Sequence, residues 1–200
     1  ARPKFAPDVV MIGASTGGPQ ALAAVLDRLP ANCPPVFVTQ HMSVRFTRPL
    51  AERLAGLSGL KLAEMKNGAD IQDGHLYFGM GDYHIGVVLG GDGKMKLVLS
   101  TAPAFNGHRP SVDFMFNSAL GLNRGVMGIL LTGMGRDGAL GLRFLRKEGA
   151  YCIAQSEEDC VIYGMPKEAI EREGADFVGN LNQIRQVMIA SFLLRRKKSA

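Results

Sequence analysis

The sequence has no tryptophan, only three cysteines, and no apolar run near the roughly 20 residues that span a membrane. Cys33, Cys152 and Cys160 are odd in number and show no Cys-x-x-Cys spacing, which argues against a disulfide framework and against a zinc site. Each reads as a small packed hydrophobe, and a reducing cytosol is the expected setting. Charged residues make up 20% of the chain and hydrophobic ones 46%, ordinary globular values that give no sign of disorder. The net charge of +5 is modest, and much of it lies in Arg195-Arg196-Lys197-Lys198. A short basic run is ordinarily a solvated end, so neither nucleic acid nor membrane insertion is expected. The opening Ala-Arg-Pro-Lys-Phe-Ala-Pro is no signal peptide and reads as a linker. The expected organisation is a linker-like tail over 1–8, one domain over 9–194 and a basic tail over 195–200.

What is present begins with Val9-Val10-Met11-Ile12, a buried strand by composition, followed by Gly13-Ala14-Ser15-Thr16-Gly17-Gly18-Pro19. The glycines permit a sharp turn, and Pro19 suits the first turn of a helix carrying Leu22, Val25, Leu26 and Leu29. Ser15 thus sits in a Gly-x-Ser-x-Gly pattern on a strand–turn–helix junction, the context of a nucleophile elbow. The turn lifts the hydroxyl clear of the sheet, and the helix start points free N–H groups at the same spot, where they can stabilise an oxyanion. Two other readings stand beside it: a serine that caps the helix, and a phosphate-binding loop that matches neither common phosphate motif.

Further along, Val36–Gln40 reads as a strand ending at His41, followed by a helix from about Thr47 with Leu50, Leu54 and Leu57 on one face. Short strand candidates follow at Leu60–Met65, His75–Phe78, Ile85–Leu89 and Lys96–Leu99. The Gly90–Lys94 turn makes the last two a hairpin, so part of the sheet is expected to be antiparallel. Val112, Met115, Phe116 and Ala119 mark a helix from Ser111. Val126–Thr132 is another buried strand, then come a helix with Leu142 and Leu145, a strand over Tyr151–Gln155, a helix from Pro166 and a short strand over Asp176–Val178. A final helix over Leu181–Leu194 closes the chain. This alternation specifies an α/β fold: a doubly wound, mostly parallel sheet with helices on both faces and an antiparallel hairpin insertion.

In such sheets ligands bind beyond the carboxyl ends of the strands. Ser15, His41 and Asp137 end or follow three strands, and together they offer a nucleophile, a base and an orienting carboxylate. Each also has a plain structural reading, His41 as a packed histidine and Asp137 as a helix cap. The rivals are His75, His84, His108, Asp82 and Asp113, none of which ends an expected parallel strand. Gly133-Met134-Gly135-Arg136-Asp137-Gly138 also matches Gly-x-Gly-x-x-Gly, with Glu157 downstream, which keeps a nucleotide-binding or non-catalytic signalling module open as the alternative. Against it, the motif comes late in the chain and places Asp137 beside the diphosphate.

Five ordered blocks resemble one known family: Ile12-Gly13-Ala14-Ser15-Thr16-Gly17-Gly18, Thr39-Gln40-His41-Met42, Gly107-His108-Arg109-Pro110-Ser111-Val112-Asp113, Leu131–Gly138 and Tyr163-Gly164-Met165-Pro166. They are similar to the catalytic domain of the chemotaxis protein-glutamate methylesterases (CheB). The resemblance implies Ser15 as nucleophile, His41 as base, Asp137 as third member, and Thr16 and Met134 on the oxyanion side. It implies hydrolysis of glutamate γ-methyl esters on the cytoplasmic helices of chemoreceptors, with glutamine deamidation as a second activity, in the cytoplasm and with no metal or organic cofactor. Arg109, Arg136 and Arg45 are candidates for docking the carboxylate-rich receptor surface. The chain departs from the family pattern at Gly79-Met80-Gly81-Asp82 and at Ser43-Val44-Arg45. The family's phospho-receiver domain, a possible partner, is also missing from this sequence, so activity without phosphorylation is expected.

Overall fold

The computed structural model describes residues 5–30 and 33–198, with side chains through 195. The chain runs β1 (Val9–Ala14), α1 (Gly18–Leu26), β2 (Val36–Gln40), α2 (Val44–Ser58), β3 (Lys61–Leu62), β4 (His75–Phe78), β5 (His84–Leu89), β6 (Met95–Ser100), α3 (Val112–Ser118), β7 (Val126–Leu130), α4 (Ala139–Lys147), β8 (Tyr151–Gln155), α5 (Met165–Glu171), β9 (Phe177–Gly179) and α6 (Leu181–Lys198). Seven strands form one sheet in the order β3-β4-β2-β1-β7-β8-β9, and every pairing in it is parallel. The chain winds outward from β1 through β2 to β4, then returns to β7 on the other side of β1 and winds out to β9. The direction of winding reverses between β1 and β7, which is where such sheets open a crevice.

Both faces of the sheet are covered, so β1, β2 and β7 are buried along their whole length and read as continuous apolar runs. Alternate side chains serve opposite layers. Val10, Ile12 and Ala14 pack with α1, α2 and α6, whereas Val9 and Met11 pack with α3, α4, α5 and the β5–β6 hairpin.

The hairpin corrects one expectation. It forms a separate two-stranded sheet and leaves the main sheet wholly parallel. The cause is α3: Ser118 seats against Gly86, and its hydroxyl accepts the Val87 N–H at 3.0 Å. The hairpin is thereby held on the helix face, away from the sheet edge. The His75–Phe78 candidate forms β4, parallel to both β2 and β3. Helix α2 begins at Val44, ahead of Thr47, because Ser43 already has an extended, cap-like conformation and the Thr47 hydroxyl bonds back to Val44 O. At the other end α6 continues past Leu194 to Lys198, and Arg195 makes a bidentate pair with Asp73 at 2.8 and 2.9 Å. Phe5, in the tail expected to be a linker, stacks on Tyr151 with ring centroids 5.8 Å apart. Residues 1–4 and 199–200 of the two expected tails lie outside the described residues. Among the described residues no helix is long and apolar enough to cross a membrane.

Helix α3 lies so close to β1 that Gly13 has no space for a side chain: a β-carbon there would come within 2.2 Å of Val112 Cγ1. Gly13→Ala is therefore expected to destabilise the fold by ~1–3 kcal/mol through overpacking. Adding Val112→Ala should recover part of that loss relative to the sum of the single variants, as read from urea midpoints in a double-mutant cycle. Strict additivity would show that this contact does not limit the packing.

Candidate active site

Three neighbouring strands deliver the three expected residues to one edge. In the β1–β2 register Ala14 lies opposite Gln40, so Ser15 and His41 are the next residues across from one another, and His41 N–H bonds Ala14 O at 3.1 Å. On the other side of β1, Ser15 N–H bonds Thr132 O at 2.9 Å, just beyond the end of β7. Asp137 follows on the loop from β7 to α4.

The Asp137 carboxylate is 2% exposed and accepts five hydrogen bonds. Oδ2 takes the Val112 N–H at 2.7 Å and faces His41 Nε2 at 2.8 Å. Oδ1 takes the Ser111 hydroxyl at 2.8 Å, the Asp113 N–H at 3.1 Å and the Asn106 amide at 3.2 Å. Helix capping and site chemistry thus meet in one side chain. Asp137 leaves its own helix, α4, to be capped by Gly138 without any side-chain bond, and receives the first N–H groups of α3. Burial alone would raise its pKa. The His41 bond, the two α3 amides and Ser111 outweigh that and hold it down from 3.8 to about 2.

An ionised carboxylate only accepts hydrogen bonds, so the nitrogen facing Asp137 carries the hydrogen. In the neutral ring the lone pair is then on Nδ1, which is buried and has no hydrogen-bond partner, Ser15 Oγ included. The expected constellation is therefore assembled as neighbours, with the Asp137–His41 bond formed and the serine–imidazole bond open. Catalytic hydrogen bonds in ligand-free sites are often long or unmade.

The rivals separate cleanly. His84 Nδ1 accepts the Ser111 N–H and its Nε2 bonds Pro103 O, so both nitrogens are occupied in holding the start of α3. His75 bonds Asp73 O at the opposite end of the sheet. Asp82 is exposed in the turn after β4. Asp113 is buried, its carboxylate bound by the Gly141 N–H and the Asn106 amide. Burial raises its pKa, so two adjacent carboxyls are driven in opposite directions. His108 does belong to the site: its ring stacks on His41 with centroids 3.7 Å apart and planes 4° from parallel. Burial, then the neighbouring His41, lowers its pKa. No spacing rule links positions 41 and 108; only the loop before α3 brings them together.

Two glutamines to which neither motif nor spacing assigns a role also lie at the site edge. Gln40 and Gln155 end β2 and β8, are 2% and 0% exposed, and turn their amides onto the next strand's outgoing loop. Gln155 Oε1 accepts the Thr132 N–H, and the Thr132 hydroxyl lies 3.0 Å from Thr16 O. A polar residue closing an otherwise apolar strand was the available signal. Thr16 and Met134 are exposed beside this framework, Met134 at 67%. Arg45, Arg109 and Arg136 are also exposed. Arg45 lies in the first turn of α2, Arg109 donates to Thr101 O and Ala102 O, and Arg136 lines a cavity of about 310 Å³ with Arg172, Phe105 and Phe144.

The glycine-rich 133–138 loop has packing reasons for its glycines. A β-carbon at Gly133 would lie 2.3 Å from Met165 Sδ, and one at Gly138 would lie 2.5 Å from Val112 Cγ1. A diphosphate at this turn would also face the fixed charge of Asp137. The cysteines show no sign of activation: burial pushes the Cys33 thiol up to about 12, Cys160 to about 11, and raises Cys152 as well.

A family model described as CheB methylesterase matches residues 10–188. The chain belongs to the CheB methylesterase family. It is similar to a protein-glutamate methylesterase/protein-glutamine glutaminase of Yersinia pestis, 45% identical over 91% of this chain and 52% of that protein. A protein of the same name from Escherichia coli O157:H7 is 43% identical over the same shares of each chain. The chain thus spans about half the length of these curated relatives. The solved catalytic domain of Thermotoga maritima CheB methylesterase superposes with a TM-score of 0.86 at 36% identity, covering 92% of this chain and 97% of that one. The two segments expected to depart from the family pattern follow the carboxyl ends of β2 and β4. Ser43-Val44-Arg45 opens α2, and Gly79–Asp82 follows β4, where Gly79 lies against Pro110.

The depressed pKa of Asp137 has a consequence for stability. The folded state holds this carboxyl ionised at a pH where the unfolded chain protonates it, so its contribution is full above about pH 4 and is lost as pH falls towards about 2. A shift of about two units corresponds to ~2–3 kcal/mol. Asp137→Asn should remove this part of the acid sensitivity, and the parent's advantage in urea midpoint should shrink between about pH 5 and pH 2. Parallel curves would mean that the carboxyl titrates alike in both states.

Proposed function

We propose that this chain hydrolyses glutamate γ-methyl esters on methyl-accepting chemoreceptors, with Ser15, His41 and Asp137 as its triad. The observation that carries the reading is the Asp137–His41 bond, which leaves Nδ1 as the only ring atom free to take a proton. Nδ1 accepts the Ser15 proton as Oγ attacks the ester carbonyl, and Asp137 holds the tautomer and balances the imidazolium. The Thr16 and Met134 main-chain N–H groups, which carry no hydrogen bond among the described residues, receive the oxyanion. His41 then protonates the departing methoxide, methanol leaves, and a glutamyl ester on Ser15 remains. Water attacks that ester with the same base, releasing glutamate and restoring the serine. With glutamine as substrate the same acyl-enzyme forms and ammonia leaves, in keeping with the double name of the relatives.

Exposed apolar side chains in the first turn of α2 (Val44 and Phe46) and on the loops after β7 and β8 (Met134 and Val161) give a helical substrate an apolar seat at the edge that carries Ser15. Arg45, Arg109 and Arg136 are the cations for its carboxylates. The catalytic unit spans 9–194, works in the cytoplasm without a metal or organic cofactor, and has a phospho-receiver domain as regulatory partner.

Methanol release from methylated receptor membranes tests this directly. The parent should be active without a phosphodonor, and Ser15→Ala should lose at least about 10³-fold in kcat. Equal release by both would remove Ser15 from the chemistry. Protection of the fold from heat by a dinucleotide, with no esterase activity, would favour a nucleotide-binding module instead.

A further inference from the structure

The ladder between β1 and β2 stops where the chemistry begins. Its last main-chain bond is His41 N–H to Ala14 O, and Ser15 and the His41 carbonyl lie past its end. On the far side Ser15 is tied to Thr132, but between Ser15 and His41 one side chain makes the connection. Gln40 Nε2 donates to Ser15 O at 2.8 Å and to His41 O at 2.9 Å. Both hydrogens of the amide are used, one on the nucleophile's carbonyl and one on the base's carbonyl. Among the described residues no other hydrogen bond joins the Ser15–Gly17 turn to residues 41–43.

The orientation of this amide is determined by its surroundings. Turned over, it would set its oxygen against two carbonyl oxygens. As it stands, Oε1 is buried without a partner and rests against Gly18, where a β-carbon would lie 1.8 Å from it. An unpaired buried acceptor opposes folding, so whatever the side chain stabilises lies at its donor end. Gly18 is also the first residue of α1, and its N–H bonds Ser15 O at 2.7 Å. One carbonyl therefore joins the helix start, the nucleophile and the glutamine.

We propose that Gln40 is a positioning residue, whose amide couples the backbones of Ser15 and His41 and so sets the approach of Oγ to Nδ1. The proposal rests on the triad reading above. Gln40 touches no substrate; it acts through the two residues that do. A misplacement of about 1 Å between reacting groups costs on the order of 10²-fold in rate, while ground-state binding at the surface is left alone.

The test uses the whole chain with Gln40→Met, which keeps the length of the side chain and removes both donors. Against methylated receptor membranes kcat should fall about 10- to 100-fold with KM within about twofold. The rate at which phenylmethanesulfonyl fluoride labels Ser15, read by intact mass well below the unfolding temperature, should fall by a similar factor. Gly18→Ala gives an independent route, since its methyl displaces the amide while leaving Gln40 in place. It should reproduce the kcat defect, and the double variant should be no worse than the more impaired single one. Unchanged kcat in Gln40→Met, a loss confined to KM, or a loss matched by the unfolded fraction would overturn the proposal. If Gln40→Met fails to fold, normal turnover and labelling in folded Gly18→Ala would overturn it. A parent inert towards both receptor and reagent would overturn the triad reading, and this inference with it.

Discussion

One buried carboxylate organises the site. Asp137 is almost wholly out of water, and a charge placed there is tolerated only because five donors meet it. Two of those donors are amides at the start of α3, one is the hydroxyl capping that helix, one is the Asn106 amide and one is the imidazole of His41. The carboxylate therefore joins the 133–138 loop, the loop before α3, the helix itself and the residue after β2. None of these segments is held to all the others by the sheet. The chemistry that orients an imidazole is also the electrostatics that satisfies a helix terminus.

Close backbone approach is the second constraint. Helix α3 can present its amino end to Asp137 only by lying against β1, and at Gly13 and Gly138 the room is taken by Val112. At Gly18 it is taken by Gln40, and at Gly133 by Met165 and Ser15. Glycines that look like a loose turn in the sequence are thus mostly places where another part of the chain presses in. Gly17, with a φ of 82°, is a case where the backbone itself needs the freedom.

Polar side chains complete what the sheet leaves unfinished. Parallel strands end with unpaired groups exactly where the functional loops depart, and Gln40 and Gln155 fold back to occupy them. The Thr132 hydroxyl carries that support on to Thr16. His84 does the same for Ser111 at the base of α3. The candidate site residues stand on loops, and those loops are tied to the fully buried central strands.

Much of this was legible in the chain itself. Buried strands such as Val9–Ile12 and Val126–Leu130 show as continuous apolar runs, because a doubly covered parallel sheet leaves no polar face to mark the period. The Gly-x-Ser-x-Gly turn, His41 at a strand end and Asp137 in the loop after a strand stood out for the same local reason: a break in an apolar run is visible without knowing its neighbours. What could not be read was everything that depends on which segments meet. The hairpin forms its own sheet and packs on α3, a contact between segments distant in the chain. His108 reached His41 through a loop of unremarkable composition, and Asp137 capped a helix other than its own. Gln40 shows the limit most plainly. Its position beside His41 is written in the sequence, but its reach to Ser15 exists only because β1 and β2 pair in one register, and hydrogen-bond partners across a sheet are decided by that pairing alone.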